Sequence, residues 1–528
     1  MSDVVRSYSS GAKPRRRPRR RRRVTLLALL ALVCFALFWC AYVTRDTHRI
    51  PALVPAAQTY QVYLNDALNK RAPLLNSSVW ALLPEDSPYA ALRQRFASEL
   101  PLPEWIANNL LYGVCLLSGQ DLTTFSDAIF VTKMSRVGCL IEQFRFVFDD
   151  IGHDHAGGLE LSVLPGGAGF YAVRGRVLVA SASRQALIRA LTLTDQDALP
   201  ETEFARGVAG AMERDVFATL HPRVQDPMGD TFDAIDVTLQ VRPDGLALAA
   251  VGSLREDART RLAPVLGPMT EGHASAPAGG LLTVALDAGQ PLPDLLAKLD
   301  TLLSKDRETS LVEPVVRLLG APTESAPPLA RLLPAFAQTI TGPGWVQWQG
   351  ATLNAMLPLP VLLGAFEADE VAVTETMAAF ATMPTDAEID PYYIPRYDET
   401  QGVVHVPLIG GPEIEPTVGY RNGRLCLSNS RPVLEAMLAD DARPEAPAAS
   451  ANILLRLQPA PACECVAAIG QQIADAGMLR GFSADAFRTY AADRCRQAAK
   501  VKEISLALAH DRGQVKLRAD VAMTSGAN

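Results

Sequence analysis

The sequence predicts an α+β protein: an N-terminal transmembrane helix followed by two tandem, duplicated α+β domains with antiparallel sheets. Three observations carry that expectation. A tract of eight arginines runs into twenty residues without charge, Val24 to Val43. One twenty-residue pattern occurs twice, at 172–191 and at 419–438. Each occurrence is followed further on by a pair of alternating apolar runs joined by a tight turn.

Residues 1–23 form a basic tail. It holds Arg6, Lys13 and the eight arginines Arg15, Arg16, Arg17 and Arg19 to Arg23, against one acid, Asp3. The tail is therefore +9 within a net charge of −7, which leaves −16 on the rest of the 528 residues. A composition of 48% hydrophobic and 20% charged residues excludes a disordered chain and a multi-spanning one. The length suffices for two or three domains.

Residues 24–43 read as the transmembrane helix. At about 1.5 Å per residue, twenty residues cover the roughly 30 Å hydrocarbon core. A cleavable signal peptide has a shorter apolar region, about 7–15 residues, ended by small side chains. Here the exit side reads Phe38-Trp39-Cys40-Ala41-Tyr42, with bulky aromatics at those places. Cys34 follows Val33 and Cys40 follows Trp39, so neither has the small residue that a lipoprotein cysteine needs before it. Trp39 and Tyr42 fall where amphipathic aromatics prefer the headgroup region. The arginines stay on the cytoplasmic side, because carrying them through hydrocarbon is costly. The expectation is a single-pass signal-anchor in the inner membrane, N-terminus cytoplasmic and the bulk periplasmic, with the lipid bilayer as partner of residues 24–43. Topogenesis and attraction to anionic lipid account for the arginine tract, so nucleic acid is not an expected partner.

Residues 44–85 read as a juxtamembrane linker. Within it "TYQVYLNDALNKRAPLLN" (59–76) has the spacing of an amphipathic helix, bounded by Pro55 and Pro73. The exported repeats are then 86–266 and 267–528, divided at the Gly- and Pro-rich "GPMTEGHASAPAGG". Shorter loops fall at 321–328 and 443–451.

The repeat is internal. "AVRGRVLVASASRQALIRAL" matches "GYRNGRLCLSNSRPVLEAML": Gly175-Arg176 against Gly423-Arg424, then, after a one-residue offset, Ser181 to Arg184 against Ser428 to Arg431. Each copy predicts a turn, a short apolar strand, and a helix capped by Ser183 or Ser430. Leu187 and Leu191, like Leu434 and Leu438, mark the buried helix face. Pro243-Asp244-Gly245 and Asp511-Arg512-Gly513 supply the turns of two closing hairpins.

The turn, apolar strand, Ser-x-Ser and helix at 172–191 and 419–438 resemble a segment of bacterial single-pass envelope proteins that carry a domain of unknown function. The resemblance covers about twenty residues per copy. It implies an N-terminal anchor and duplication, and brings no activity, cofactor or catalytic residue.

Signatures of nucleophile elbows, phosphate-binding loops and His-Glu-x-x-His zinc helices are missing from the sequence. The metal candidate is "FDDIGHDHAGG", with Asp149, Asp150, His153, Asp154 and His155 as candidate ligands; on an extended backbone the two histidines share a face. The same letters also describe a polar surface loop. Of the cysteines outside the anchor, Cys463 and Cys465 lie close in sequence, and a disulfide from this pair to Cys495 suits an exported chain. Connectivity stays open, as does a metal or redox role for Cys463-Glu464-Cys465. Trp345 and Trp348 read as core before binding surface. Asn76-Ser77-Ser78 is a glycosylation sequon, meaningful in a eukaryotic secretory setting alone. His221, His273, His405 and His510 have no partner that the sequence can name. With no cofactor expected, the favoured reading is a non-enzymatic, membrane-anchored envelope protein that binds or scaffolds an envelope protein partner. The alternative is a periplasmic hydrolase, metal-dependent through His153 and His155.

Overall fold

The computed structural model describes residues 19–66, 77, 111–121, 126–143, 152–156, 158–164, 169–223, 228–269, 273–277, 279–287, 289–292, 294–295, 297–298, 328–352, 358–382, 394–408, 410–439, 451–479 and 483–524. It is α+β with a large antiparallel sheet.

In chain order, the first elements are α1 (Arg19–Val43), β1 (Tyr60–Asn65), β2 (Leu111–Gly119), β3 (Ile129–Met134), α2 (Arg136–Gln143), β4 (Gly152–Ala156) and β5 (Leu159–Val163). Then come β6 (Phe170–Arg174), β7 (Val177–Ser181), α3 (Arg184–Leu191), α4 (Glu201–Glu213), β8 (Val216–Leu220), β9 (Phe232–Arg242), β10 (Gly245–Leu254) and α5 (Glu256–Leu266). A second series follows: β11 (Leu282–Leu286), α6 (Pro328–Ala337), β12 (Ile340–Thr352), β13 (Leu359–Ala368), α7 (Glu370–Ala381), β14 (Arg396–Asp398) and β15 (Val403–His405). It ends with β16 (Thr417–Arg421), β17 (Arg424–Ser428), α8 (Arg431–Ala439), β18 (Ile453–Leu457), α9 (Pro459–Asp475), α10 (Ala484–Ala498), β19 (Val501–Asp511) and β20 (Gln514–Met523). Two compact units result. The smaller holds α1 to α3 and β3 to β7; the larger holds the rest, with β2 from Val114 onward.

In the smaller unit the strand order is β3-β7-β6-β5-β4, all antiparallel. Helix α3 lies against β7 with Leu187 fully buried, and Ser183 caps it by accepting the Ala186 N–H at 3.3 Å. Helix α1 leaves Leu29, Leu32, Phe35, Leu37, Phe38 and Tyr42 each more than half exposed. Its side chains are described from Leu29 onward, and among the described residues no helix is long and apolar enough to cross a membrane.

In the larger unit one antiparallel ladder runs β2-β1-β8-β9-β10-β20-β19-β18-β11-β12-β13-β17-β16-β15-β14. The segment expected as helix over 59–76 opens with a strand instead: β1 sits between β2 and β8, with Tyr60, Gln61 and Tyr63 buried. Residues 67–76 of that expectation lie outside the described residues.

Pairings recur at an interval of ten strands. β1 pairs with β2 and β8, β8 with β9 and β9 with β10. Likewise β11 pairs with β12 and β18, β18 with β19 and β19 with β20. The order β3-β7-β6-β5-β4 is matched by β13-β17-β16-β15-β14. Both expected closing hairpins form, Pro243-Asp244 joining β9 to β10 and Arg512-Gly513 joining β19 to β20. Loop geometry corrects one detail of the sequence match. Arg174 pairs with Val177 and Arg421 with Arg424, so the two-residue loops are Gly175-Arg176 and Asn422-Gly423. Gly175 (φ 58°) thus occupies the place of Asn422 (φ 52°), not of Gly423. Asn tolerates the left-handed region, and the one-residue offset disappears.

Strand β13 is buried on both faces from Leu363 to Phe366, while Leu362 just before stays exposed. Leu363 and Ala365 join Trp345, Cys426 and Leu454 beneath Leu434 of α8. Phe366 points the other way, into Phe336, Val373, Met377 and Phe380 of α6 and α7. Phe336 and Phe380 stack with ring centroids 5.8 Å apart. Since Phe336 is fully buried, Phe336→Ala is expected to lower stability by about 3–5 kcal/mol. Urea denaturation checks this; a loss under about 1 kcal/mol would mean that this cluster is not the packed core.

Candidate functional site

Among the described residues, charged and titratable groups gather around Arg431, the first residue of α8. The Ser428 hydroxyl accepts the Ser430 N–H at 3.0 Å, turning the chain out of β17, and the Ser430 carbonyl accepts the Leu434 N–H to open the helix. That turn aims Arg431 at the end of the β14–β15 hairpin. Its Nη2 donates to Asp398 Oδ2 at 2.8 Å and its Nε to Glu435 Oε1 at 2.6 Å. Its Nη1 lies 3.3 Å from His405 Nε2. A guanidinium only donates, so Nε2 accepts and the ring proton sits on Nδ1, which is buried and has no hydrogen-bond partner among the described residues.

Each group's ionisation follows from these contacts. Burial opposes the charge of Asp398, yet the N–H groups of Gln401 and Thr400, with Arg431, hold its carboxyl below the usual carboxylate range. Burial pushes Glu415 up, only partly offset by the Arg431 charge. The His405 imidazole is lowered by burial first and by Arg431 second. Arg431 is itself raised, chiefly by its bond to Glu435. The result is a neutral His405 beside one cation that two carboxylates engage, Asp398 from β14 and Glu435 from α8 itself.

The smaller unit holds a similar clamp. Arg184, the first residue of α3, donates from Nε to Asp154 Oδ2 at 2.5 Å and from Nη2 to Oδ1 at 3.3 Å, with Nη2 also 3.4 Å from the His155 carbonyl. Asp154 lies on β4 as Asp398 lies on β14, and this hydrogen bond holds its carboxyl low. The Ser-x-Ser-Arg signature therefore reports a helix start clamped to the first strand of a small sub-sheet. Both arginines were visible in the repeat; their carboxylate partners were not.

Other predicted residues fall as follows. His153 and His155 lie on one face of β4, with His153 Nδ1 3.5 Å from Glu160 Oε1. Asp149 and Asp150 lie outside the described residues, and among the described residues no three His, Cys, Asp or Glu side chains gather as a metal site. Asn76 also lies outside them. Cys463, Cys465 and Cys495 are half-buried thiols. Trp345 is core, and Trp348 donates its Nε1–H to the Gly350 carbonyl at 2.6 Å. His221 is 3.6 Å from Glu203, which accepts a bond from Gln61, which in turn accepts the Tyr63 hydroxyl at 2.8 Å. This chain ties α4 to β1, and Gly207 is required there because a β-carbon would strike the Tyr63 ring.

Comparison with known proteins adds little. No protein-family model matches the chain, and no curated protein does. Two crystal forms of TP0453, forms III and I, align over 42% of this chain and 88% and 87% of their own, at 8% and 10% identity, with TM-scores of 0.24 and 0.25. Similarity of that degree identifies neither fold nor function.

His405 yields a pH prediction. Its folded pKa lies below the ordinary 6.5, so its stabilising contribution is full above pH 6.5 and is lost as pH falls from 6.5 through the folded value. Glu415, raised above its ordinary 4.5, has the opposite sign and destabilises as pH rises above that value. His405→Gln keeps an acceptor for Arg431 and removes the titration, so its urea midpoint is expected to fall less than the parent's between pH 7.5 and 5.5. Equal falls would refute the assignment.

Proposed function

We propose that the chain is a membrane-anchored envelope protein whose exported part, two copies of one α+β module in tandem, binds or scaffolds an envelope protein partner. The carrying observation is the row of exposed apolar side chains on α1, described from Leu29 to Tyr42, which follows the arginine tract along the same helix. Such a surface is unfavourable in water and suits hydrocarbon. The basic tail holds the N-terminus on the cytoplasmic side. Duplication is supported by the pairings that recur ten strands apart and by the matching clamps Arg184–Asp154 and Arg431–Asp398. A binding role, not turnover, is supported by the commitment of both arginines to carboxylates of their own unit.

Topology tests this reading. The chain should stay in the membrane pellet after alkaline carbonate extraction, and deletion of 24–43 should release it. An Asp244→Cys variant, at the exposed tip of β9–β10, should react with a membrane-impermeant maleimide from the outer face above the parent's background. A mature chain beginning after Ala36, or labelling from the cytosolic face alone, would overturn it.

A second reading, a periplasmic metal-dependent hydrolase, is favoured by His153 and His155 sharing a strand face beside Glu160. It requires about one divalent ion per purified chain, lost in a His153→Ala/His155→Ala variant. A metal-free parent removes it.

A further inference from the structure

Helices α9 and α10 form a hairpin with little core of its own. Among the described residues α10 has no buried side chain, and α9 buries Ala462 and Ala474. Their seam is fixed at one end. Phe487 packs against Gly470, where a β-carbon would collide with the ring, and Gln471 Nε2 donates to the Ala484 carbonyl at 3.5 Å. Stepping two helical turns away from that end, back from Gly470 and on from Phe487, reaches Cys463 and Cys495. That spacing sets the two thiols side by side across the seam, and burial first, with Cys463 nearby as the lesser cause, pushes the Cys495 thiol up. Cys465 stands two residues further, about 200° around the helix and off the seam.

We propose that Cys463 and Cys495 are a disulfide-forming pair that locks the α9–α10 hairpin, and that Cys465 takes no part. The bond forms by exchange with a disulfide donor, oxidised glutathione or the Cys-x-x-Cys disulfide of a thiol oxidoreductase. The Cys463 thiolate attacks one donor sulfur and expels the other as thiolate, giving a mixed disulfide. Cys495 then loses its proton, attacks the Cys463 sulfur and releases the second donor thiolate. The protein gives up two electrons and two protons, and the donor becomes two thiols. Locking compensates for what the hairpin does not bury, since a covalent tie restricts the unfolded chain where apolar packing is thin.

This inference does not depend on the membrane reading, because the oxidant is supplied. The purified full chain in detergent is reduced, oxidised with glutathione disulfide, alkylated and digested. Glu464 lets a Glu-specific protease separate Cys463 from Cys465. The expected products are a Cys463–Cys495 linked peptide, alkylated Cys465, and two fewer reactive thiols per chain, restored by dithiothreitol. Cys465→Ser should keep the link, and Cys463→Ser should leave Cys495 alkylated. Alkylation of both Cys463 and Cys495 after oxidation, or a link through Cys465, overturns the proposal.

Discussion

The backbone ladder between β10 and β20 is the constraint from which the larger unit is built. A two-stranded hairpin is marginal by itself, and its outer strand exposes a row of unpaired N–H and C=O groups. Here the two closing hairpins satisfy each other. The register places Leu248 opposite Ala519 and Ala250 opposite Leu517, so a large side chain meets a small one twice. It also brings the Val521 carbonyl to where a β-carbon of residue 245 would stand, which is why Gly245 begins β10. Because side chains alternate with period two, this one register decides which face every strand further out presents.

Outward from that ladder, stability is held by different means at different places. At Leu363 to Phe366 of β13 burial on both faces suffices, with α8 on one side and α6 and α7 on the other. Where β18 begins, a polar residue does the work. Asn452, fully buried, donates to the Met269 carbonyl at 2.5 Å and the Asp287 carbonyl at 3.3 Å, and its Oδ1 accepts the His510 N–H at 2.8 Å. Three backbone groups that would otherwise be unpaired in the interior are thereby satisfied.

What the sequence made legible were features written within a few residues of each other. Turn chemistry at Pro243-Asp244 and Arg512-Gly513 marked both hairpins, and Ser183 announced the start of α3. Strand β1 was misread because Tyr60, Tyr63 and Leu64 have helical spacing. Gln61 also breaks the apolar alternation; it is buried because Glu203 and Tyr63 satisfy its amide. The Arg431 site was not legible. Asp398 and His405 are 33 and 26 residues away from Arg431 in sequence, and they meet it only through the folding of the β14–β15 hairpin. A shared arginine was the one trace of it, and an arginine does not name its carboxylate.

The two clamps also differ, and the difference is physical. Arg184 and Asp154 meet in solvent, where screening leaves the pair geometric in role: it fixes the entry of α3 and costs little. Around Arg431 the setting is drier. His405 and Glu415 are both about nine-tenths buried; the first keeps an Nδ1–H with no partner among the described residues, and burial pushes the carboxyl of the second up. Both arrangements oppose stability, the first because a buried donor without an acceptor forfeits its bond to water, the second because burial disfavours the carboxylate. Positioning a helix does not require them, as the Arg184 clamp demonstrates with neither. The Arg431 cluster therefore carries a polar cost that the Arg184 clamp does not, although both fix the start of a helix in the same way.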